Sequence, residues 1–113
     1  MMVSKGDVWL VNLNPVKKNN EMGKIRSVVV YQNNDLNYSD YPTTIIIPLS
    51  IHLVDNSQPI RYRITKRDKL HKDSDAVITQ IRAIENDRFI EKLAVITTVE
   101  MQTIKELFEE ITL

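Results

Sequence analysis

The chain has 113 residues, of which 15 are basic, 15 are acidic and none is cysteine. This length suits a single domain over residues 1–113, and the missing cysteines exclude a disulfide framework, a thiolate nucleophile and a thiolate zinc site. The balanced charge neither favours nor excludes a nucleic-acid partner. Because the first residues lack the apolar run of a signal peptide and no apolar stretch nears membrane-spanning length, we expect a cytoplasmic protein.

The start of the chain predicts two apolar strands joined by a polar loop. Residues 6–15 are largely apolar on both alternating faces, which is typical of a strand covered on both sides. The loop of residues 16–22 leads to Arg26, immediately before the apolar run of residues 28–31. Arginine is permanently charged and presents a rigid fork of donors. An arginine fixed beside a buried strand therefore suggests a phosphate or carboxylate as its target.

The middle of the chain predicts two further strands and a basic run. Residues 33–42 are rich in turn formers and predict a loop, whereas residues 43–50 read as a central strand. Residues 60–65 alternate apolar and polar side chains, as a strand with one solvated face does. Between positions 61 and 72, six basic residues and a histidine stand against one aspartate. This run predicts either a face for phosphates or a solvated hairpin edge protected by charge.

The last third predicts short strands and one helix. We expect strands at residues 75–81 and 91–96, with a helical turn at 85–89 between them. Residues 97–100 fit a capping box, and the apolar stripe that follows at helical spacing is expected to pack on the core. This pattern predicts an α+β fold: a small, mostly antiparallel β-barrel with short helices and a C-terminal helix.

Four segments in this order resemble the MazF/PemK-type toxins of bacterial toxin–antitoxin pairs. They are the opening strand, polar loop and arginine, the strand 43–50 that closes on a hydroxyl residue, Lys72-Asp73-Ser74, and Gln80-Ile81-Arg82. The resemblance implies an SH3-like β-barrel and a sequence-selective endoribonuclease that cuts single-stranded RNA. It also implies a homodimer, no metal or other cofactor, and an inhibiting antitoxin protein that covers the RNA groove.

The resemblance assigns catalytic roles to three residues. Arg26 matches the arginine to which the family assigns catalysis, and it would stabilise charge on the phosphoryl group. The alternative is a structural ion pair with Glu21 or Asp7. Ser50 stands where the family usually has threonine and keeps a hydroxyl for a phosphate oxygen, although a serine there could simply be a turn residue. Glu21 would orient Arg26 or transfer a proton, unless it is merely solvated.

We also predict residues that contact RNA. They are Lys17, Lys18, Asn33, His52, Gln80 and Arg82. Gln80 and Arg82 alternate with apolar neighbours and should share a face. Arg82 would bind a phosphate or a base edge, with an ion pair to Glu85 as the alternative. His52 lies two residues beyond Ser50, and the alternative is a surface histidine without a role.

The chain departs from the family pattern at three positions. Ser27 follows the arginine where proline is usual, Ser50 replaces threonine, and Thr79 stands where many members have an acidic residue. Any mechanism that needs a carboxylate at position 79 is therefore in question. These departures keep an inactive RNA- or antitoxin-binding relative as an alternative. A further alternative is a non-catalytic toxin of this fold that grips DNA gyrase through exposed residues of its C-terminal helix.

Overall fold

The computed structural model describes residues 2–13 and 24–113. The described residues form seven strands and two α-helices, with single 3₁₀ turns at Ile78–Gln80 and Asn86–Arg88. The strands are β1 Asp7–Asn12, β2 Ile25–Val30, β3 Thr43–Ser50, β4 Arg61–Ile64, β5 Ser74–Val77, β6 Arg82–Glu85 and β7 Phe89–Val95, and the helices are α1 Asn34–Asn37 and α2 Thr98–Thr112. No helix in this part of the chain is long and apolar enough to cross a membrane.

The strands form one antiparallel sheet in the order β4-β5-β3-β2-β1-β7, and β6 pairs with the first half of β3. The predicted α+β class, with its mostly antiparallel sheet, short helices and C-terminal helix, is confirmed. The sheet is not closed, because the described residues contain no pairing between the edge strands β4 and β7. The β-barrel of the sequence prediction is therefore an open one.

The pairing of β3 with β2 ends before β3 itself does. Segment 46–48 of β3 pairs with β2, whereas Leu49 and Ser50 pair only with Ala76 and Asp75 of β5, which lies on the other side of β3. The start of β2 therefore has no partner in β3. A gap therefore opens between the two strands, beside Ser50.

The central strands β1, β2 and β3 are largely buried on both faces, as the apolar runs predict. Val8, Val29 and Ile47 belong to one core cluster, which also contains residues of β4, β5 and α2. Trp9 and Val28 belong to a second cluster on the opposite face. This double burial explains why the central strands carry almost no polar positions until they reach their ends.

Helix α2 is fixed at its start by the predicted capping box. Thr97 Oγ1 accepts from the Glu100 amide at 3.0 Å, and the Thr97 amide donates to Glu100 Oε1 at 2.8 Å. Of the predicted stripe, Ile104 and Leu107 are buried in the core, and the remaining members, Met101, Phe108 and Ile111, pack against it. The apolar face of α2 is therefore occupied within the fold, unlike the exposed face that the gyrase-type alternative requires.

Three element predictions are corrected. The strand predicted for 75–81 ends at Val77, because the chain turns through Ile78–Gln80 before β6 begins at Arg82. The predicted loop 33–42 contains the short helix α1, which Asn33 caps by accepting from the Leu36 amide at 2.9 Å. The last strand begins at Phe89 rather than at residue 91. The helical turn expected near 85–89 is present as Asn86–Arg88.

The stability of the α2 attachment should depend on pH through Glu100. Arg67 donates two bonds to this carboxylate, at 2.6 and 2.7 Å. These bonds and the Thr97 amide lower the pKa of Glu100 from 4.5 to about 2. A carboxyl whose pKa is lowered in the folded state stabilises the fold at pH values above its ordinary pKa. This stabilisation is lost as the pH falls toward 2. Glu100→Gln should lower the free energy of unfolding at pH 7 by about 1–3 kcal/mol, measured by urea denaturation.

The same measurement at pH 3 should give a smaller difference between the two proteins. Glu110→Gln is the matched control, because Glu110 is exposed on the same helix and has no partner among the described residues. Its replacement should change stability little at either pH. An equal loss at pH 7 and pH 3 for Glu100→Gln would contradict this account.

Candidate active site

The gap between β2 and β3 forms a cleft of about 340 Å³, called here the active-site cleft. Arg26 and Ser27 of β2 line one side, and Ser50 and His52 line the other. Val28 pairs with Pro48, so the same register continued would place Arg26 opposite Ser50. The fold therefore brings together the two residues to which the sequence assigned phosphate chemistry.

The guanidinium of Arg26 has no ion pair or hydrogen bond with any residue that the structure describes. Asp7, one of its two alternative partners, accepts instead from Trp9 Nε1 at 3.1 Å and from the Ser4 amide at 2.9 Å, and pairs with Lys92 at 3.3 Å. The alternative of an ion pair between Arg26 and Asp7 is therefore wrong. Glu21, the other alternative partner, lies outside the described residues.

Ser50 ends β3 with its hydroxyl tied to the loop that follows. Its Oγ accepts from the His52 amide at 3.2 Å, and the His52 carbonyl accepts from Arg61 Nη1 at 3.0 Å. Ser50 and His52 both line the active-site cleft beside Arg26. The serine is thus a turn-stabilising residue and a cleft residue at once, so the two interpretations of Ser50 are compatible.

Behind this loop lies Asp75, whose side chain is only 1% exposed. It accepts from Arg63 Nε at 2.7 Å, from the Val54 amide at 2.8 Å and from Arg61 Nη1 at 3.4 Å. Burial opposes ionisation of the carboxyl. The hydrogen bonds from Arg63 and Val54 outweigh burial and hold the pKa of Asp75 below its ordinary value. A single buried carboxylate therefore anchors both the loop and β4 behind Ser50 and His52.

Sequence reasoning did not single out this anchor. The available signal was Asp75 itself, the one acidic residue of β5, whose other residues are small or apolar. The neighbouring strand β4 carries two alternating arginines. The register places Asp75 opposite both Arg63 and Ser50. Only this pairing shows that a charge in β5 supports the end of β3.

A second cleft, of about 470 Å³, lies on the other side of Arg26 and is called here the cationic cleft. Lys24, Gln80 and Arg82 line it with Arg26, and no carboxylate of the described residues does. Gln80 and Arg82 thus share a surface, as predicted. Arg82 donates to the Leu13 carbonyl at 3.3 Å. The alternative of an ion pair between Arg82 and Glu85 is wrong, because Glu85 Oε1 lies 3.8 Å from Arg88 Nη2 instead.

Other predicted residues lie elsewhere. Asn33 caps α1 and lines neither of these clefts, so the structure does not bring it to the site. Lys17 and Lys18 lie outside the described residues. Most of the basic run is neutralised by ion pairs, which engage Arg61, Arg63, Arg67 and Lys69. In the described part of the chain, no three acidic or histidine side chains cluster so as to hold a metal ion.

Comparisons with known proteins identify the family of the chain. A family model described as "PemK-like, MazF-like toxin of type II toxin-antitoxin system" matches residues 4–112. The chain belongs to this family. It is 34% identical to Endoribonuclease MazF of Staphylococcus saprophyticus over 110 residues. This alignment covers 96% of this chain and 89% of that relative. The match therefore extends over both strands of the active-site cleft.

Solved structures of similar proteins have the same fold. One is a MazE–MazF structure from Deinococcus radiodurans, with a TM-score of 0.78 and 13% identity over 99% of this chain and 96% of that one. Another is a mycobacterial endoribonuclease in complex with its cognate antitoxin, with a TM-score of 0.69 and 14% identity over 97% and 92% of the two chains. At these identities the likeness extends to the fold alone.

The three departures from the family pattern lie in different surroundings. Ser27 and Ser50 are half-buried and line the active-site cleft, where Ser27 adds a hydroxyl that proline would lack and Ser50 keeps the hydroxyl of threonine. Thr79 is exposed within the 3₁₀ turn that precedes β6. It lines neither the active-site cleft nor the cationic cleft.

The Asp75 anchor should hold the loop after β3 in place. We expect Asp75→Asn to make hydrogen exchange at the Val54 amide about tenfold faster, because this amide then bonds a neutral acceptor whose arginine partners have lost their counter-charge. Exchange at Val29 should change much less, since that amide lies in the central sheet. Hydrogen exchange resolved by residue in NMR spectra measures both.

Asp73→Asn provides the control for this substitution. Asp73 lies in the turn before β5 and also accepts a backbone N–H, that of Lys66 at 2.8 Å, but it does not contact the loop of residues 51–58. Its replacement should leave exchange at Val54 unchanged. Unchanged exchange in Asp75→Asn as well would show that the anchor does not hold the loop.

Proposed function

We propose that this protein is the toxin of a type II toxin–antitoxin system and acts as a sequence-selective endoribonuclease on single-stranded RNA. The name of the S. saprophyticus relative supports this activity. The observation that carries the proposal is the position of Arg26. Its guanidinium, unpaired among the described residues, faces a cleft that also holds the hydroxyl of Ser50. An unpaired arginine beside a hydroxyl is suited to a phosphodiester.

In the proposed reaction, the 2′-hydroxyl of one nucleotide attacks the phosphorus of its own 3′-phosphodiester. The bond from phosphorus to the 5′ oxygen of the next nucleotide breaks. The 2′-hydroxyl gives up its proton, and the departing oxygen gains one. The products are a cyclic phosphate and a free 5′-hydroxyl. Since the RNA supplies its own nucleophile, this reaction needs no cofactor.

The protein's main contribution to this reaction is electrostatic. Negative charge grows on the non-bridging phosphate oxygens as the new bond forms, and Arg26 can donate two parallel hydrogen bonds to them. Ser50 would add a third donor from the opposite wall of the cleft. Glu21 is proposed to orient Arg26 or to take part in proton transfer.

The rest of the RNA backbone is proposed to follow the cationic cleft. Lys24, Gln80 and Arg82 continue the positive surface away from Arg26. His52 would contact the RNA from the loop side, and Lys17 and Lys18 from the first loop. Phosphate contacts of this kind fix the position of the strand without reading its sequence.

The proposed assembly is a homodimer in the cytoplasm, controlled by a cognate antitoxin protein. Residues 1–113 would supply one toxin domain to each half. The antitoxin-bound structure of the mycobacterial endoribonuclease supports this form of control.

Cleavage should require the guanidinium group of Arg26 and not only a positive charge at this position. In EDTA, wild-type protein should cut a long single-stranded RNA into discrete fragments, whereas Arg26→Ala should not. Arg26→Lys keeps the charge but loses the bidentate fork, so kcat should fall about 10²-fold or more. The matched control is Arg88→Lys, which lies outside both clefts and should cut at the wild-type rate.

Normal cleavage by Arg26→Ala would refute the catalytic assignment. Intact RNA with folded wild-type protein would refute the endoribonuclease. If that RNA were nevertheless bound with an affinity that falls steeply with salt, the inactive-relative alternative would be favoured.

For the rate of cleavage, the hydroxyl of Ser50 should matter more than the size of its side chain. Ser50→Ala should lower kcat by about 10²-fold, the usual effect of removing one transition-state donor. Ser50→Thr restores the family's usual hydroxyl residue, and β-branching suits a strand end, so this variant should stay within a few-fold of wild type. Single-turnover cleavage of a short RNA measures all three proteins. Equal rates for the alanine and threonine variants would exclude a catalytic role for the hydroxyl.

A further inference from the structure

A third cleft, of about 540 Å³, adjoins the active-site cleft and is called here the side cleft. Its apolar wall consists of Leu10, Ile51, Leu70 and Leu93. Ile51 is 59% exposed. Neither the proposed chemistry nor the proposed path of the RNA backbone uses this surface.

The two clefts are continuous. Leu10, Ser27, Ile51 and Ser74 line both of them. Ser27 lines both clefts, whereas its neighbour Arg26 lines the active-site cleft and not the side cleft. A ligand held at Arg26 can therefore extend past Ser27 into the side cleft.

The turn that covers the side cleft is fixed to β7. The Lys69 amide donates to the Leu93 carbonyl at 3.0 Å, and Lys69 Nζ pairs with Glu91 at 3.1 Å. Leu70 is buried in the core beneath this turn. The cleft is thus formed before any ligand arrives, which lowers the ordering cost of binding.

The rim of the side cleft carries His71 and Lys72, both exposed. Neither side chain has an ion pair or hydrogen bond with a described residue. Together with Ser27, they place hydrogen-bonding groups around an apolar wall. A flat ring with apolar faces and polar edges matches this arrangement, and an unpaired nucleobase is such a ring.

We infer that the side cleft binds one unpaired base of the RNA, next to the scissile phosphate, and that His71 and Lys72 help to determine which base is accepted. This inference rests on the proposed function. A base is favoured over an apolar segment of a protein partner because the cleft opens directly beside Arg26 and has unpaired basic groups on its rim.

The test measures base preference position by position. Short RNAs that contain the mapped cleavage site are varied one base at a time, and kcat/KM is determined for wild type, His71→Ala and Lys72→Ala. The preference at one position beside the cut should fall about tenfold in His71→Ala, and to a lesser degree in Lys72→Ala, because hydrogen bonds to a base edge typically discriminate between bases by about tenfold or more. Preferences at the other positions should be retained.

Lys66→Ala is the matched control. Lys66 is an exposed lysine of the same connection that lines none of the three clefts, and its replacement should leave every preference unchanged. His71 is also exposed, so its variants should fold, which circular dichroism checks.

The outcomes separate this inference from the proposed function. If wild-type protein cuts no RNA, both fail. If it cuts RNA but both rim variants keep the wild-type preference at every position, the base site alone is overturned. The base site is equally overturned if the rim variants lose affinity only for a protein inhibitor.

Discussion

The end of the β2–β3 ladder at Val28 and Pro48 is the constraint on which the site depends. Strand β3 continues to Ser50, but its last two residues pair only with β5, on its other side. The start of β2 therefore has no partner in β3, at the point where Arg26 precedes the apolar run. Arg26 and Ser50 therefore face each other across a cleft instead of across a continuous ladder. The cleft is a consequence of strand pairing, and a rigid sheet holds both of its walls.

That arrangement needs support on the side of β3, because the loop after Ser50 is almost entirely exposed and buries little apolar surface of its own. Asp75 supplies it through hydrogen bonds to Arg61, Arg63 and the Val54 amide. A carboxylate buried to this extent would be destabilising if it lacked partners. Asp75 has such partners in Arg61, Arg63 and the Val54 amide. The hydrogen bonds that compensate for the burial of the carboxylate therefore also fix the loop that contains His52.

The sequence predicted most of the fold and part of the site, for identifiable reasons. Continuous apolar runs and a capping box are local signals, so the central strands and α2 follow from the sequence. The end of β5 at Val77 does not, because residues 78–81 continue the alternation of a strand in the sequence, whereas the chain turns there through Ile78–Gln80. The partner of Arg82 does not follow from the sequence either. Arg82 donates to the Leu13 carbonyl, which is distant in sequence, whereas the nearby Glu85 is the simpler expectation. Ion pairs that neutralise the basic run likewise join residues far apart in the chain.

The alternation of β2 offers a physical reason for separating catalysis from recognition in one short segment. Arg26 and Ser27 are adjacent, yet they face opposite sides of the sheet. The side of Arg26 opens to cations and an amide, which suit phosphates. The side of Ser27 opens to leucines with polar groups at the rim, which suit a base. A proline in place of Ser27 would lack this hydroxyl, so the chain's departure from the family pattern adds a polar group where the base site needs one. If the side cleft binds a base as proposed, Ser27 would affect which RNA is cut and leave the proposed phosphate chemistry of Arg26 unchanged.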